Sequence, residues 1–231
     1  MHNTPMCGRY FLETLPDTMA DAFSVKVPNE LAASFNIAPT DRSPIVRLDQ
    51  DGERRFEYAR WGLVPFWAKD LKIGARMINA RIETVAEKPA YRKAWRSRRC
   101  LVPASGFFEW RREGRQRFPS AIVPADRSLL CFGGLWETWR DRESGESVRS
   151  FSIVTTDAVG PIADLHDRMP VLLTADQQAS WLRAELEPAQ LSDGVAEAVT
   201  LFPVSQAVNS VRNNYPELLE PLNPPDAPKP S

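Results

Sequence analysis

The sequence is poor in the residues that bind metals or form disulfides. It has two histidines and three cysteines in 231 residues, with neither a CxxC pair nor a His/Cys cluster at metal-ligand spacing. We therefore predict that the protein needs no metal and no cofactor. An odd number of cysteines without such spacing favours free thiols in a reducing compartment.

Long apolar runs are also missing. No stretch of about 18 consecutive apolar residues is present, and the N-terminus lacks the apolar segment of a secretory signal. Hydrophobic residues make up 43% and charged residues 26% of the chain, which is ordinary for a soluble globular protein. We expect no contact with membranes and a cytoplasmic location, nucleoid-associated if the protein is bacterial.

The chain has almost no net charge, since its formal charge is -1. The distribution is uneven, because residues 92–117 hold nine Lys or Arg and two Glu. This basic window could attract phosphates, or it could be a solvated face that keeps the protein soluble. The sequence leaves both interpretations open.

The chain shows no internal repeat and no linker. We predict one domain over residues 6–220, acting as a monomer. Residues 1–5 are interpreted as a leader or a misassigned start. Residues 221–231 are rich in proline, and we expect a disordered tail there.

The pattern of the domain predicts an α+β fold with a curved antiparallel sheet or barrel at its core. Four segments have the alternation or the aromatic and β-branched content of strands: 77–84, 107–112, 129–136 and 150–155. Four others are predicted to be helices: 16–23, 86–95, a segment that opens at the capping box Thr174-Ala175-Asp176-Gln177, and 187–201.

Cys7 stands among small and polar residues, unlike Cys100 and Cys131, which lie in apolar runs. If Met6 is the initiator and is removed, Cys7 carries a thiol and a free α-amine. The α-amine has a pKa of about 8, so it can condense with an aldehyde, and the thiol can then close a thiazolidine ring. Arg9 could hold an anionic substrate. The alternative is a lone surface cysteine with no base to activate it.

Several polar residues are candidates for proton transfer or binding. Glu109 lies within Phe-Phe-Glu-Trp, where it is either a general base with a costly buried charge or a surface residue paired with Arg111 or Arg112. Asn79 and Arg81 share one strand face, which is either an outer face or the lining of a site. His166 is the one histidine outside the first five residues, and it is either a general acid or part of a solvated turn.

Aromatic residues close to basic ones form another candidate site. Phe66 and Trp67 follow Trp61 within a short segment, and core packing is the usual role of such side chains. Aromatic rings beside cations also stack on unpaired bases.

Seven blocks together, in this order, resemble the SOS response-associated peptidase (SRAP) family over about residues 6–219. They are Met6-Cys7-Gly8-Arg9-Tyr10, Phe35-Asn36-Ile37-Ala38-Pro39-Thr40, Trp61-Gly62-Leu63-Val64-Pro65, Asn79-Ala80-Arg81-Ile82-Glu83-Thr84, Arg99-Cys100-Leu101-Val102-Pro103, Gly106-Phe107-Phe108-Glu109-Trp110 and Leu165-His166-Asp167-Arg168-Met169-Pro170.

The resemblance implies a β-barrel-centred α+β domain that recognises abasic sites in single-stranded DNA and bonds to them covalently. It implies that Cys7 forms a thiazolidine with the ring-opened sugar and that Asn79 orients the reacting groups. Glu109 would transfer protons, and His166 would promote ring opening. DNA contacts are implied for five residues: Arg9, Arg81, Arg168, Phe66 and Trp67.

Residues ahead of Cys7 would block its amine, so the resemblance also implies self-cleavage as one route to a free Cys7. Two other functions stay open. One is a thiol peptidase that acts on other proteins through Cys7, His166 and Asn79. The other is a module that binds single-stranded DNA without a covalent bond.

Overall fold

A computed structural model describes residues 8–191 and 193–222, except for the side chain of Arg112. Within these residues the strands, in chain order, are β1 (Tyr10–Leu12), β2 (Ser34–Ile37), β3 (Arg42–Leu48), β4 (Arg54–Trp61), β5 (Asn79–Arg81), β6 (Arg99–Ala104), β7 (Gly106–Glu113), β8 (Gln116–Pro124), β9 (Leu130–Arg140), β10 (Ser147–Asp157), β11 (Arg168–Pro170) and β12 (Val199–Pro203). The α-helices are α1 (Pro16–Phe23), α2 (Arg92–Ser97), α3 (Ala175–Leu182) and α4 (Gly194–Glu197).

Five strands close into a barrel, in the order β4-β3-β6-β9-β10. Neighbouring strands pair antiparallel except where β10 returns to β4, and there Ser150 and Phe151 pair in parallel with Arg60 and Trp61. Closure removes the free sheet edges that an open sheet would expose. The short strands β5 and β11 pair with the C-terminal part of β10.

The barrel interior is filled by aromatic and aliphatic side chains. The Trp61 and Phe151 rings stack at 6.5 Å, and Tyr10 meets Trp61 edge-on at 5.0 Å. Burial of such large apolar side chains is the main source of stability, at about 1.5–3 kcal/mol for each fully buried residue.

A second sheet, ordered β12-β8-β7-β1-β2, covers one side of the barrel. Alternation along β1 and β7 separates its two faces. Tyr10 and Phe107 pack into the main core, whereas Phe11 and Phe108 form a second cluster on the opposite face. This alternation turns the side of β7 that carries Phe107 and Glu109 toward the barrel.

The α+β class with a barrel core is confirmed, and so are several elements. Helix α1 has the predicted bounds, and α3 begins after Thr174, whose backbone N–H donates to Gln177 Oε1 at 3.1 Å. Strands β7 and β10 contain the segments predicted at 107–112 and 150–155, and β9 contains all but the first residue of the segment predicted at 129–136.

Three predictions of local structure are wrong. The helix expected over 187–201 is replaced by a 3₁₀ turn, the four-residue α4 and strand β12, because the β-branched and aromatic residues of β12 pair with β8. The strand expected over 77–84 is three residues long, since the chain turns at Arg81. The helix expected over 86–95 begins only at Arg92, after Pro89, which disfavours a helical residue before it.

Other predictions fall on residues outside the description. They are Cys7, residues 1–5 and the tail beyond Leu222. The backbone N–H of Leu222 itself donates to the Pro203 carbonyl at 2.9 Å. Each helix in the described ranges falls short of the length and apolar character that a bilayer crossing requires.

Candidate functional site

A cavity of about 840 Å³ lies where the second sheet meets the end of the barrel. Its lining comes mainly from the residues just before β1, the β7–β8 hairpin, the loop between β10 and β11, and the turn that follows β12. It brings together residues from three distant parts of the sequence: Gly8 and Arg9, Glu109 and Trp110, and His166.

Glu109 is a buried carboxylate in the wall of this cavity, with 3% of its surface exposed. It follows Phe107 on the barrel-facing side of β7, opposite Ser120 of β8. Burial excludes the surface interpretation, and Arg111 pairs instead with Glu113 at 3.0 Å. A carboxylate held out of water beside a pocket is suited to accept or return a proton.

Arg9 is also buried, with 9% exposure, and its guanidinium faces several partners. Its Nη1 donates to Asn36 Oδ1 at 2.7 Å and to the Val208 carbonyl at 2.8 Å. Burial lowers the pKa of Arg9, and nearby Asp41 partly opposes that shift. Among the described residues its buried Nε has no hydrogen-bond acceptor. Because Arg9 lines the cavity, its positive charge is available to an anion there.

The His166 imidazole is fixed by its own loop. Its Nδ1 lies 3.0 Å from the backbone N of Arg168 and 2.9 Å from Asp167 Oδ1. The first contact needs a lone pair on Nδ1 and the second needs a proton, so the two do not operate together. The backbone N–H is fixed, whereas the Asp167 side chain is 86% exposed. The Arg168 contact therefore favours a proton on Nε2 over one on Nδ1, and a proton on Nε2 can be donated.

Asn79 and Arg81 lie on β5, next to the cavity rather than in its lining, which includes their neighbour Ile78. The Asn79 carbonyl accepts a hydrogen bond from the Tyr91 hydroxyl at 3.0 Å, and burial raises the pKa of Tyr91 to about 12. This phenol therefore stays protonated and anchors β5. Arg81 is exposed at the end of the strand.

Arg168 is 6% exposed and is surrounded by acceptors. Its Nη1 and Nη2 contact the two carboxylate oxygens of Glu83 at 2.6 and 3.0 Å, and Nη1 also bonds to Asp157. Burial lowers the pKa of Arg168, but the two carboxylates outweigh it and raise the pKa overall. In this arrangement Arg168 anchors the loop that carries His166.

Phe66 and Trp67 are exposed by 52% and 45%, which is unusual for large aromatic side chains. They do not line the cavity. The Nζ of Lys93 lies 4.7 Å from the centre of the Phe66 ring. Exposed rings with a neighbouring cation can stack on unpaired bases.

The basic window does not form one patch. Arg99 is buried between the Trp95 and Trp181 rings, at 3.7 and 4.8 Å from their centres, and Arg98 pairs with Glu137. Arg115 and Arg117 of the same window are exposed and line the cavity. Only a few residues of the basic window are therefore placed to attract phosphates.

Sequence reasoning assigned no role to two residues that build the site. Asn36 supports Arg9 and donates to backbone carbonyls of the C-terminal segment. Trp110 forms a cavity wall and donates from Nε1 to Asn209 Oδ1 at 2.7 Å. Both stand within recognisable sequence blocks, but only the fold shows their partners.

The two remaining thiols are unsuited to nucleophilic chemistry. Cys100 and Cys131 are buried in the barrel, and burial raises the pKa of both. Within residues 8–191 and 193–222, His, Cys, Asp and Glu side chains form no group of three that could hold a metal ion.

The fold and the cavity define a barrel-centred α+β protein with a polar pocket, lined by a carboxylate, an imidazole and a guanidinium, beside its first described residue. The chain belongs to the SOS response associated peptidase (SRAP) family, whose model matches residues 6–211.

Similar proteins extend over most of the chain. "Abasic site processing protein YoqW" of Bacillus subtilis is 39% identical, over 93% of this chain and 99% of its own length. "Abasic site processing protein HMCES" of Xenopus tropicalis is 30% identical, over 93% of this chain and 78% of its own length.

Solved structures share the fold. A protein from Bacteroides thetaiotaomicron superposes with a TM-score of 0.79 at 24% identity and covers 94% of this chain and 100% of its own. A protein from Bordetella bronchiseptica has a TM-score of 0.75 at 25% identity, over 86% of this chain and 100% of its own.

Proposed function

We propose that this protein processes abasic sites in single-stranded DNA by bonding covalently to them through Cys7. Membership of the family and the names of the relatives support abasic-site processing. The cavity supports the covalent chemistry, because it combines an anion-binding group with two proton-transfer groups. In this proposal the protein acts as a cytoplasmic monomer, nucleoid-associated if bacterial, without metal or cofactor.

The observation that carries the proposal is the position of Gly8 in the cavity lining together with Arg9, Glu109 and His166. Cys7, the proposed nucleophile, is bonded directly to Gly8, which lines the cavity. Buried Cys100 and Cys131 offer no competing thiol.

The reaction balances as follows. The neutral α-amine of Cys7 adds to the aldehyde carbon of the ring-opened sugar, and the carbinolamine loses one water molecule to give an imine. The Cys7 sulfur then adds to the imine carbon, and the thiol proton passes to nitrogen. A thiazolidine results, with one new C–N bond, one new C–S bond and one water released.

Glu109 and His166 divide the proton transfers. The sugar must open before its aldehyde can react, and the Nε2 proton of His166 is suited to assist that opening. Glu109 takes a proton from the Cys7 amine or thiol and returns it when water leaves. Asn79 orients the reacting groups from β5.

The remaining candidate residues hold the strand. In the proposal, Arg9, Arg81 and Arg168 contact flanking phosphates, which position DNA without reading its sequence. Arg81 is exposed, whereas Arg168 would have to exchange a carboxylate for a phosphate. Phe66 and Trp67 stack against bases next to the lesion. An unpaired strand suits this site, because its sugar reaches the pocket without melting a duplex.

The free amine requires removal of every residue ahead of Cys7. We include self-cleavage in the proposal: the Cys7 thiol attacks the Met6 carbonyl, the peptide bond breaks as an acyl shift to sulfur, and water hydrolyses the thioester. Glu109 or His166 carries the proton.

The test is a heat-stable adduct on an oligonucleotide with one natural abasic site, detected by denaturing gel and intact mass. We expect an adduct that is one water lighter than the sum of its parts. Cys7→Ala should abolish it, and Cys131→Ala, which removes a buried thiol, should not. A variant that retains Met6 should also fail to react.

The same experiment separates the alternatives. An adduct that forms at full yield in Cys7→Ala contradicts the proposal. Binding that survives Cys7→Ala with no adduct in any form of the protein identifies a non-covalent module. Turnover of added peptides with a blocked α-amine identifies a thiol peptidase.

A further inference from the structure

The β7–β8 hairpin places two arginines in the lining of the cavity. Glu113 and Gln116 pair across the hairpin, which leaves a two-residue turn. Gly114 takes the first turn position with φ +59°, a conformation that glycine adopts readily. Arg115 therefore stands at the tip, and Arg117 follows on β8.

These arginines differ from the others near the site. Both are exposed and both line the cavity. Within the described part of the chain neither has an ion-pair partner, whereas Arg111 is paired with Glu113 and Arg168 with Glu83. No ion pair within the described residues therefore neutralises the charge that they bring to the cavity lining.

The spacing fits a strand that runs past the hairpin. Arg115 occupies the turn and Arg117 lies on β8, so their Cα atoms are at most about 7 Å apart. Each arginine can therefore contact its own phosphate of a strand that passes the hairpin. Trp110, earlier in the same hairpin, forms the wall beneath them. Contacts to phosphates from such a position carry no sequence information.

We propose that Arg115 and Arg117 form a basic clamp that holds the phosphates of single-stranded DNA beside the lesion. This inference rests on the proposed function, because it names how the same site keeps its substrate. The clamp contributes affinity and positioning and takes no part in the covalent chemistry.

The test uses a fluorescent single-stranded oligonucleotide with a tetrahydrofuran residue, an abasic analogue that has no aldehyde. Binding is measured by anisotropy from low to high salt. Each phosphate contact on a single strand adds about 0.7 to the salt slope. We expect R115A/R117A to reduce the slope by about 1.4 and to raise the Kd roughly 25-fold near 0.1 M salt, with little difference near 1 M.

The matched control is R142A/R183A, which removes two exposed arginines outside the cavity lining. The lysine pair R115K/R117K keeps the charge and should restore most of the binding. Equal affinity and equal slope for R115A/R117A and R142A/R183A would overturn the clamp.

The outcomes distinguish this inference from the proposed function. If the analogue binds as predicted but a natural abasic site forms no adduct, the covalent proposal fails and the clamp stands. If the adduct forms and the hairpin variant binds like the control, the clamp fails and the covalent proposal stands.

Discussion

At the scale of single residues, the environment decides what each arginine does. Arg99 is stacked between two tryptophans, and burial lowers its pKa to about 10. Arg168 forms ion pairs with Glu83 and Asp157. Arg115 keeps its charge exposed at the cavity. Three identical side chains thus serve packing, anchoring of a loop and the proposed contact with phosphate.

The same reasoning gives a prediction for Glu109. Replacement by Gln keeps the shape of the side chain and removes the proton acceptor, so adduct formation should slow by roughly a hundredfold, a typical contribution of general acid–base catalysis. Single-turnover kinetics on abasic single-stranded DNA measure this rate.

Glu113 on the same strand offers a matched control, because Glu113→Gln also removes one carboxylate but lies outside the cavity lining. It should react at nearly the wild-type rate. Glu109→Gln reacting as fast as wild type would remove Glu109 from the chemistry while leaving the role of Cys7 intact.

At the scale of elements, a charged cluster on the barrel wall joins strands that are distant in sequence. Glu57 of β4 accepts from Arg47 of β3 at 2.8 Å and from Arg149 of β10. The guanidiniums of Arg47 and Arg149 also lie over Trp136 of β9, at 4.9 and 5.2 Å. The cluster spans the parallel β4–β10 pairing that closes the barrel.

This cluster predicts a pH-dependent stability. Partial burial raises the pKa of Glu57, but the two arginines outweigh it and lower the pKa overall. A carboxylate whose pKa is lowered by folding stabilises the folded protein at pH values above its pKa in the unfolded chain. That contribution disappears as the pH falls through its pKa in the folded protein. Glu57→Gln should therefore cost about 1–2 kcal/mol at neutral pH.

The difference in the free energy of unfolding between wild type and Glu57→Gln should shrink once the pH falls below 4.5, the ordinary pKa of a glutamate. Urea unfolding at a series of pH values measures it. Glu53→Gln, which alters an exposed residue just before β4, is the control and should show no such trend. A constant difference down to pH 3 would contradict the assignment.

At the scale of the whole molecule, the pocket depends on the joining of the two ends of the domain. Asn36 is 3% exposed. Its Oδ1 accepts from Arg9, and its Nδ2 donates to the carbonyls of Ser210 and Asn213 at 3.0 and 2.7 Å. The side-chain amide of Asn36 thus links β2 to the residue just before β1 and to a segment more than 170 residues later in the chain.

Loss of this amide should therefore affect stability and binding together. We expect Asn36→Ala to lower the free energy of unfolding by about 2–3 kcal/mol, because it leaves buried donors and acceptors without partners. It should also weaken binding of abasic single-stranded DNA, because Arg9 loses its support. Chemical denaturation and anisotropy measure the two effects.

Asn29→Ala is the matched control, since Asn29 is exposed. Its effect on stability should stay within about 0.5 kcal/mol. If Asn36→Ala is as stable as this control, the tie between the two ends of the domain contributes little to the fold.

Local features of this protein could be read from its sequence. The alternation in β7, the capping box of α3 and the seven ordered blocks are properties of short segments, and they predicted the fold class and the family. Local patterns failed where a distant partner decided the outcome. The segment at 199–203 became a strand because β8 offered it a ladder.

Tertiary structure alone decided which candidates meet. Burial of Glu109, the pairing of Arg168 with Glu83, and the exposure of Phe66 and Arg115 depend on side chains that arrive from other parts of the chain. A linear pattern records which charges are present. Only closure of the barrel and packing of the second sheet determine which of them are neutralised and which face the pocket.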